Sequence, residues 1–215
     1  MYNIPYFKAS NQEEVLQFMR THPFIILCGA EADGSPVATH VPVLFEERGD
    51  RLFLLAHVMR KQAHTVAFQE NNHVLAIFYG PSTYVSASWY ENKSVASTWN
   101  YQAIHVKGRL NFLDENGLLQ VLSKLTSHFE QDLHSPALVE KMDKEYVKKM
   151  MQAIIAFEIE VLEIEHVFKL SQNRDAASYA NIVRELETIG GESASIASEM
   201  KQKGSAVFGP GRGNP

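Results

Sequence analysis

The chain has 215 residues, 45% hydrophobic and 21% charged, with a formal net charge of −5. This is ordinary globular composition, enough for a sizeable core, and the negative balance argues against a free-standing nucleic-acid binder, which usually carries a basic excess or a basic face. The lone cysteine, Cys28, leaves no disulfide framework; the start lacks a signal-peptide design and no apolar run approaches membrane-spanning length, so a soluble, cytoplasmic protein is expected.

In chain order, Ser10-Asn-Gln-Glu13 is a capping-box signature, with Val15, Phe18 and Met19 following at helical spacing and Pro23 as the stop. Pro23 to Cys28 reads as a buried strand, Asp33-Gly34 as a turn, and Pro36 to Glu46 as the returning strand of a hairpin. That strand puts His40 on the face opposite Thr39 and Val41. Leu52 to His57 is the next strand. A turn carrying Arg60 and Lys61 then leads into a helix from about Lys61 to Asn71. Two cations at the entrance of a helix, where first-turn N–H groups lack partners and the dipole is positive, form an anion site; the plainer reading is a pair of solvated surface charges.

Val74 to Tyr79 is a strongly apolar strand ending at Gly80-Pro81, and Thr83 to Ser86 is a second, short one. Residues 88–100 read as an aromatic and polar loop holding Trp89 and Trp99, which either pack the loop down or wall a flat ligand or partner subunit. From Tyr101 to Phe112 the pattern alternates: Ile104, Val106, Leu110 and Phe112 on one face, Tyr101, His105, Lys107 and Arg109 on the other. The second face is read as solvated or as a cofactor contact. Two helical stretches follow, one opened by Asp114 and one by Ser135-Pro136 and ending near Met151. Then come a strand from Ile154 to Ile164 and an amphipathic helix from Arg174 to Ile189, stopped by Gly190-Gly191. A short helix around Ile196 to Met200 precedes a Gly- and Pro-rich tail.

The reading is an α+β fold: a mostly antiparallel barrel with peripheral helices and a C-terminal helix. It has a single domain over 1–200, a helical insertion at 113–151, and a flexible tail at 201–215. None of the nine histidines falls in a zinc-type spacing, so no metal site is expected. Walker, Rossmann and serine-hydrolase glycine patterns are absent, as is a helix-turn-helix, and no catalytic residue stands out.

Several motifs together point to a family: Val37-Ala-Thr-His-Val-Pro42, Phe78 to Ser86 with Ser88-Trp-Tyr90, Thr98-Trp-Asn-Tyr101, and Lys169-Leu-Ser-Gln-Asn173. In this order they resemble the PaiB-type FMN-binding negative transcriptional regulators, over about residues 1 to 200. The wider group is the FMN-binding split barrel, shared with pyridoxamine-phosphate oxidases, in which a Ser-Arg-Lys-type turn holds the flavin phosphate. Arg60 and Lys61 match its last two members, while Met59 replaces the hydroxyl residue.

The resemblance implies FMN as cofactor and a homodimer with flavin at the interface. It implies phosphate contacts from Arg60 and Lys61, and a ring slot from Trp89, Trp99 and Tyr101, with Asn100 in the same motif. Ring-edge contacts would come from Thr39 and His40, a ribityl contact from His57, and contributions from Lys169 and Gln172. The plainer reading of the last motif is a surface helix start, capped by Ser171 or Asn173. Its expected output is negative transcriptional regulation; direct DNA contact stays open, without support from charge or motif. The alternative is a small flavin-dependent oxidoreductase, and a third is haem handling with His40 or His57 as ligand.

Overall fold

The computed structural model describes residues 1–208, without the side chains of Ser205 and Ala206. It divides into two compact units: 17–78 with 105–164, and 1–16 with 79–104 and 165 onward. The expected tail at 201–215 falls partly within a helix running to Phe208 and otherwise outside the described residues.

The first unit is a curled sheet. Its strands are β1 (Phe24–Ala30), β2 (Pro36–Pro42), β3 (Leu44–Arg48), β4 (Arg51–Met59), and parts of β5 (His73–Val85), β6 (Thr98–Phe112) and β7 (Ile154–Lys169). The order is β2-β1-β5-β6-β7-β4-β3, and the β1–β2, β1–β5, β3–β4 and β4–β7 pairings are antiparallel. Pro36 to Glu46 is therefore not one hairpin strand. It breaks at Val43, and its halves pair at opposite ends of the sheet. Strands one residue apart in sequence yet terminal on opposite sides require the sheet to curl round on itself, the geometry of a split barrel. Val43 is fully buried and its N–H donates to the Pro23 carbonyl at 2.9 Å, which fixes the crossing.

The alternation read in β6 holds: Ile104, Val106 and Leu110 are buried, while Lys107 and Arg109 face out. Helix α1 (Gln12–Thr21) starts one residue later than the signature suggests. Asn11 Oδ1 accepts from Glu14 N–H, and the Glu14 carboxylate reaches back to the Ser10 N–H. Helix α2 (Ala63–Glu70) is shorter than expected and lies close on β1. A Cβ added at Gly29 would stand 2.6 Å from the Phe68 ring, so the glycine is what lets the helix approach.

The insertion forms α3 (Glu115–Glu130), capped by Asp114, a 3-10 turn at Val139–Lys141, and α4 (Lys144–Met151), capped by Asp143. Leu118, Val121, Leu125 and Met151 pack on Leu44, Leu55 and Ala156 of the sheet.

In the second unit β5 does not stop at Gly80-Pro81 but continues to Val85. β1 pairs with β5 only at residues 75–77, so the missing N–H of Pro81 falls beyond that ladder, where proline is tolerated. β7 likewise runs on to Lys169, five residues past the expected end. Helices α5 (Ala176–Ile189) and α6 (Gly191–Phe208) form a hairpin across Gly190 and Gly191, both at positive φ. Tyr179, Ile182, Val183 and Leu186 of α5 meet Ile196, Ala197 and Met200 of α6 over Val85, Tyr90 and Leu170.

Replacing Gly29 by Ala should force the Phe68 ring aside and cost about 1–3 kcal/mol of unfolding free energy. Urea unfolding of Gly29→Ala against the parent protein measures this, and an unchanged midpoint would refute the close-approach role.

Candidate functional site

The Arg-Lys turn sits at the end of β4. That strand runs two residues past His57 to Met59, and α2 begins only at Ala63, so Arg60 and Lys61 belong to the connecting turn. The turn is held from both sides: Arg60 N–H donates to the Ala153 carbonyl at 2.9 Å, and the buried Thr65 hydroxyl donates to the Met59 carbonyl at 2.7 Å. The Arg60 and Lys61 side chains are exposed, and among the described residues no carboxylate pairs with either. Gln62, the cap of α2, makes no side-chain bond to the helix start. Positive charge and uncapped donors thus converge on one short segment, as an anion site requires.

His57, three residues before Arg60, is half-buried opposite Ala156. Its Nδ1 is enclosed without a hydrogen-bond partner among the described residues, and burial holds the imidazole pKa below its usual value. His57 is therefore a neutral ring with an unused polar atom, and a buried polar atom left alone is costly. His64, in the first turn of α2, is also held down by burial and leans on Phe68.

Thr39 and His40 point to opposite faces of β2. Thr39 is half-buried, and His40 is exposed, stacked on Phe24 with ring centroids 6.0 Å apart. Only one of the two side chains can serve a given face; the other is limited to backbone groups.

Thr39, His40, His57, Arg60 and Lys61 lie in the first unit; Trp89, Trp99, Asn100, Tyr101, Lys169 and Gln172 lie in the second. Trp89 ends a 3-10 turn at Ala87–Trp89 and packs against the α5–α6 cluster. Trp99 and Asn100 are in β6 rather than in a loop, and Tyr101 is in the same strand, where it was expected. Trp99 is 55% exposed and meets Tyr84 edge-on. Tyr101 shares its face of the strand, and burial raises its hydroxyl pKa.

Asn100 points the other way, fully buried, accepting from the Ser171 hydroxyl at 3.0 Å and donating to Met200 Sδ at 3.5 Å. Gln172 is committed to its own turn: its Oε1 accepts from Leu170 N–H at 2.7 Å and its Nε2 donates to the Phe168 carbonyl at 2.5 Å. Lys169 ends β7 and donates to the Thr98 hydroxyl; burial first, then Arg174, lowers its pKa. The cap of α5 is Asp175, not Ser171 or Asn173; its Oδ1 accepts from Ser178 N–H at 2.8 Å.

Sequence reading takes Ser171 only as a candidate cap and Arg174 only as a helix start; it misses that Ser171 is held at φ 62° with its hydroxyl on Asn100 and that the Arg174 guanidinium lies 4.2 Å from the Tyr90 ring centroid. A non-glycine residue in the left-handed region is a structural property that leaves no pattern in sequence. Among the described residues, no group of three or more His, Cys, Asp or Glu side chains could hold a metal, and no helix is long and apolar enough to cross a membrane.

Comparison with known proteins decides the family. The model described as "Putative FMN-binding domain" matches residues 1–163. The chain belongs to this FMN-binding family. It is 31% identical over 202 residues, 94% of this chain and 97% of the relative, to protease synthase and sporulation protein PAI 2 of Bacillus subtilis. Among solved structures, an FAD- and haem-binding protein from Mycobacterium smegmatis superimposes with a TM-score of 0.57 at 17% identity, covering 85% of this chain and 80% of that one. The flavocytochrome Anf3 of Azotobacter vinelandii gives 0.53 at 17% identity, over 84% and 78%. At such identity the two structures bear on the fold alone. The family makes FMN the cofactor, and the residues around the Arg-Lys turn suit its phosphate. Lys169 and Gln172 lie beyond the matched residues.

In the second unit the N-terminal segment is latched to β7: Ala9 N–H donates to His166 Nε2 at 3.0 Å, Lys8 bonds the His166 carbonyl, and Lys203 of α6 pairs with Glu14. Burial, and then Lys8, lowers the His166 pKa; Lys203 adds to this while Glu14 opposes it. With the folded pKa depressed, the unfolded chain binds the proton first. Stability is then full above about pH 6.5 and falls as pH drops through the folded value. Urea unfolding between pH 8 and about 5 should show this decline, and His166→Gln, which keeps an acceptor but cannot titrate, should make it shallower. An identical slope in the variant would remove His166 as a source.

Proposed function

We propose that this protein is an FMN-binding split-barrel regulator that works as a homodimer and acts as a negative transcriptional regulator. The observation that carries the flavin site is the Arg60–Lys61 turn: two exposed cations, without carboxylate partners among the described residues, at the uncapped start of α2. Its backbone is fixed by Ala153 and Thr65. These side chains would hold the phosphate. The neutral His57, with Nδ1 unused, would hydrogen-bond the chain between phosphate and ring. Thr39, from β2, would supply a ring-edge contact, and His40 its backbone. When bound, FMN supplies the redox-active ring.

Exposed Trp99 and Tyr84, with Tyr101 on the same face as Trp99, support a second role for the β6 strand. Apolar aromatic surface of this kind suits contact with the flavin of a partner copy. The regulatory part of the reading is supported by the name of the Bacillus subtilis relative, which concerns protease synthesis and sporulation. The net charge of −5 favours regulation through a partner or through flavin status over direct groove contact.

Purified protein incubated with FMN and desalted should keep its yellow absorption. Losing two charge-assisted contacts in Arg60→Ala/Lys61→Ala should weaken FMN binding by about a hundredfold or more. Retention equal to the parent protein would overturn the phosphate turn. Turnover of NADH or NADPH by the FMN-loaded protein would favour an oxidoreductase instead. In mobility-shift assays at low salt no DNA complex is expected, and a steeply salt-dependent shift would establish direct binding.

A further inference from the structure

The helical insertion holds a hollow of about 680 Å³ between α3, the Val139–Lys141 turn and α4, lined by none of the residues connected with flavin. Its size is that of small-molecule sites, commonly about 300–1,000 Å³ with mostly apolar walls and a few polar groups. The walls are Leu119, Val139, Met142, Val147 and Met151. Leu119 stays 44% exposed, although it sits on the same helix as the buried Leu118 and Val121. Met142 and Met151 are unbranched and polarisable, so they can adapt to a guest.

The charges around this hollow are unevenly used. Lys124 is taken up by Glu46, and Glu140 by the Ser123 hydroxyl. Lys144 and Lys148 also line the hollow and stand one turn apart on α4, so they share a helix face. Neither has a carboxylate partner among the described residues. The remaining carboxylate, Glu115, lies in the first turn of α3, where the helix dipole compensates it.

We propose that the insertion is a second ligand site, for a small amphiphilic carboxylate whose apolar body covers the Leu119–Met151 wall and whose head pairs with Lys144 and Lys148. A neutral apolar molecule would leave both ammonium groups unmatched. A cation would meet two like charges, and an inorganic anion would leave the wall wet. The site stands independently of the flavin reading, because no residue is shared.

The test is calorimetric titration of the full chain, with and without FMN, using decanoate below its micelle concentration, with 1-decanol and decylamine as comparisons. Decanoate should bind saturably at one site per chain, and more tightly than either comparison. Replacing two exposed ion-pair partners in Lys144→Gln/Lys148→Gln should weaken it about fivefold. Leu119→Glu, a change at an already exposed position, should abolish it. Far-UV circular dichroism and FMN retention should stay at parent values in both variants. Absence of saturable decanoate binding, equal binding of decanol, or an unaffected lysine double variant would each overturn the proposal.

Discussion

The single residue between β2 and β3 governs the geometry of the barrel. Pro42 ends one strand and Leu44 begins the next, yet the two strands lie at opposite ends of the sheet. Val43 between them is buried to zero exposure and tied to Pro23. Burying a valine side chain contributes about 1.5–3 kcal/mol, so the crossing is stabilised where the chain changes direction. Once the sheet is curled, β4 is fixed between β3 and β7, and its end carries His57 and the Arg-Lys turn to a defined place.

Charge on the same unit is distributed with a visible bias. Arg48 pairs with Glu46 and Glu158, Arg51 with Glu160, and Lys107 with Glu163. Exposed pairs of this kind add little stability, commonly below about 1 kcal/mol. Their effect is to remove cations from competition for an anion. Arg60 and Lys61 keep theirs available, on backbone anchored at Ala153 and Met59. Electrostatic binding is stronger when donors are preorganised, because little ordering is left to do on binding.

The second unit solves a different problem, the placement of buried polar groups. Asn100 and Gln102 face inward on β6 beside Ile104. Asn100 finds Ser171 and Met200, and Ser171 adopts φ 62° on the segment that leads from β7 to α5. Gln172 closes the same segment with both ends of its amide. Satisfied polar networks in a low dielectric specify one arrangement, because any other leaves a donor or acceptor stranded. The Lys169-Leu-Ser-Gln-Asn173 motif thus acts largely as a fold-defining turn, with Lys169 as its part free of backbone duties.

Much of the fold was legible in the sequence. The two-residue period of β6, the apolar stripes of α3 and α5, the Asp114 cap, the turn glycines and the Arg-Lys turn are local properties, and local sterics and amphipathicity write them directly into residue order. Register partners are not local. Period two states which face is buried but not which strand lies alongside. The break at Val43, the passage of β5 through Gly80-Pro81, and the extension of β7 to Lys169 therefore emerged only from the pairing. The inward turn of Asn100 and the hollow between α3 and α4 were decided in the same way. Each depends on atoms far apart in the chain, which only the curled sheet and the packed helices bring together.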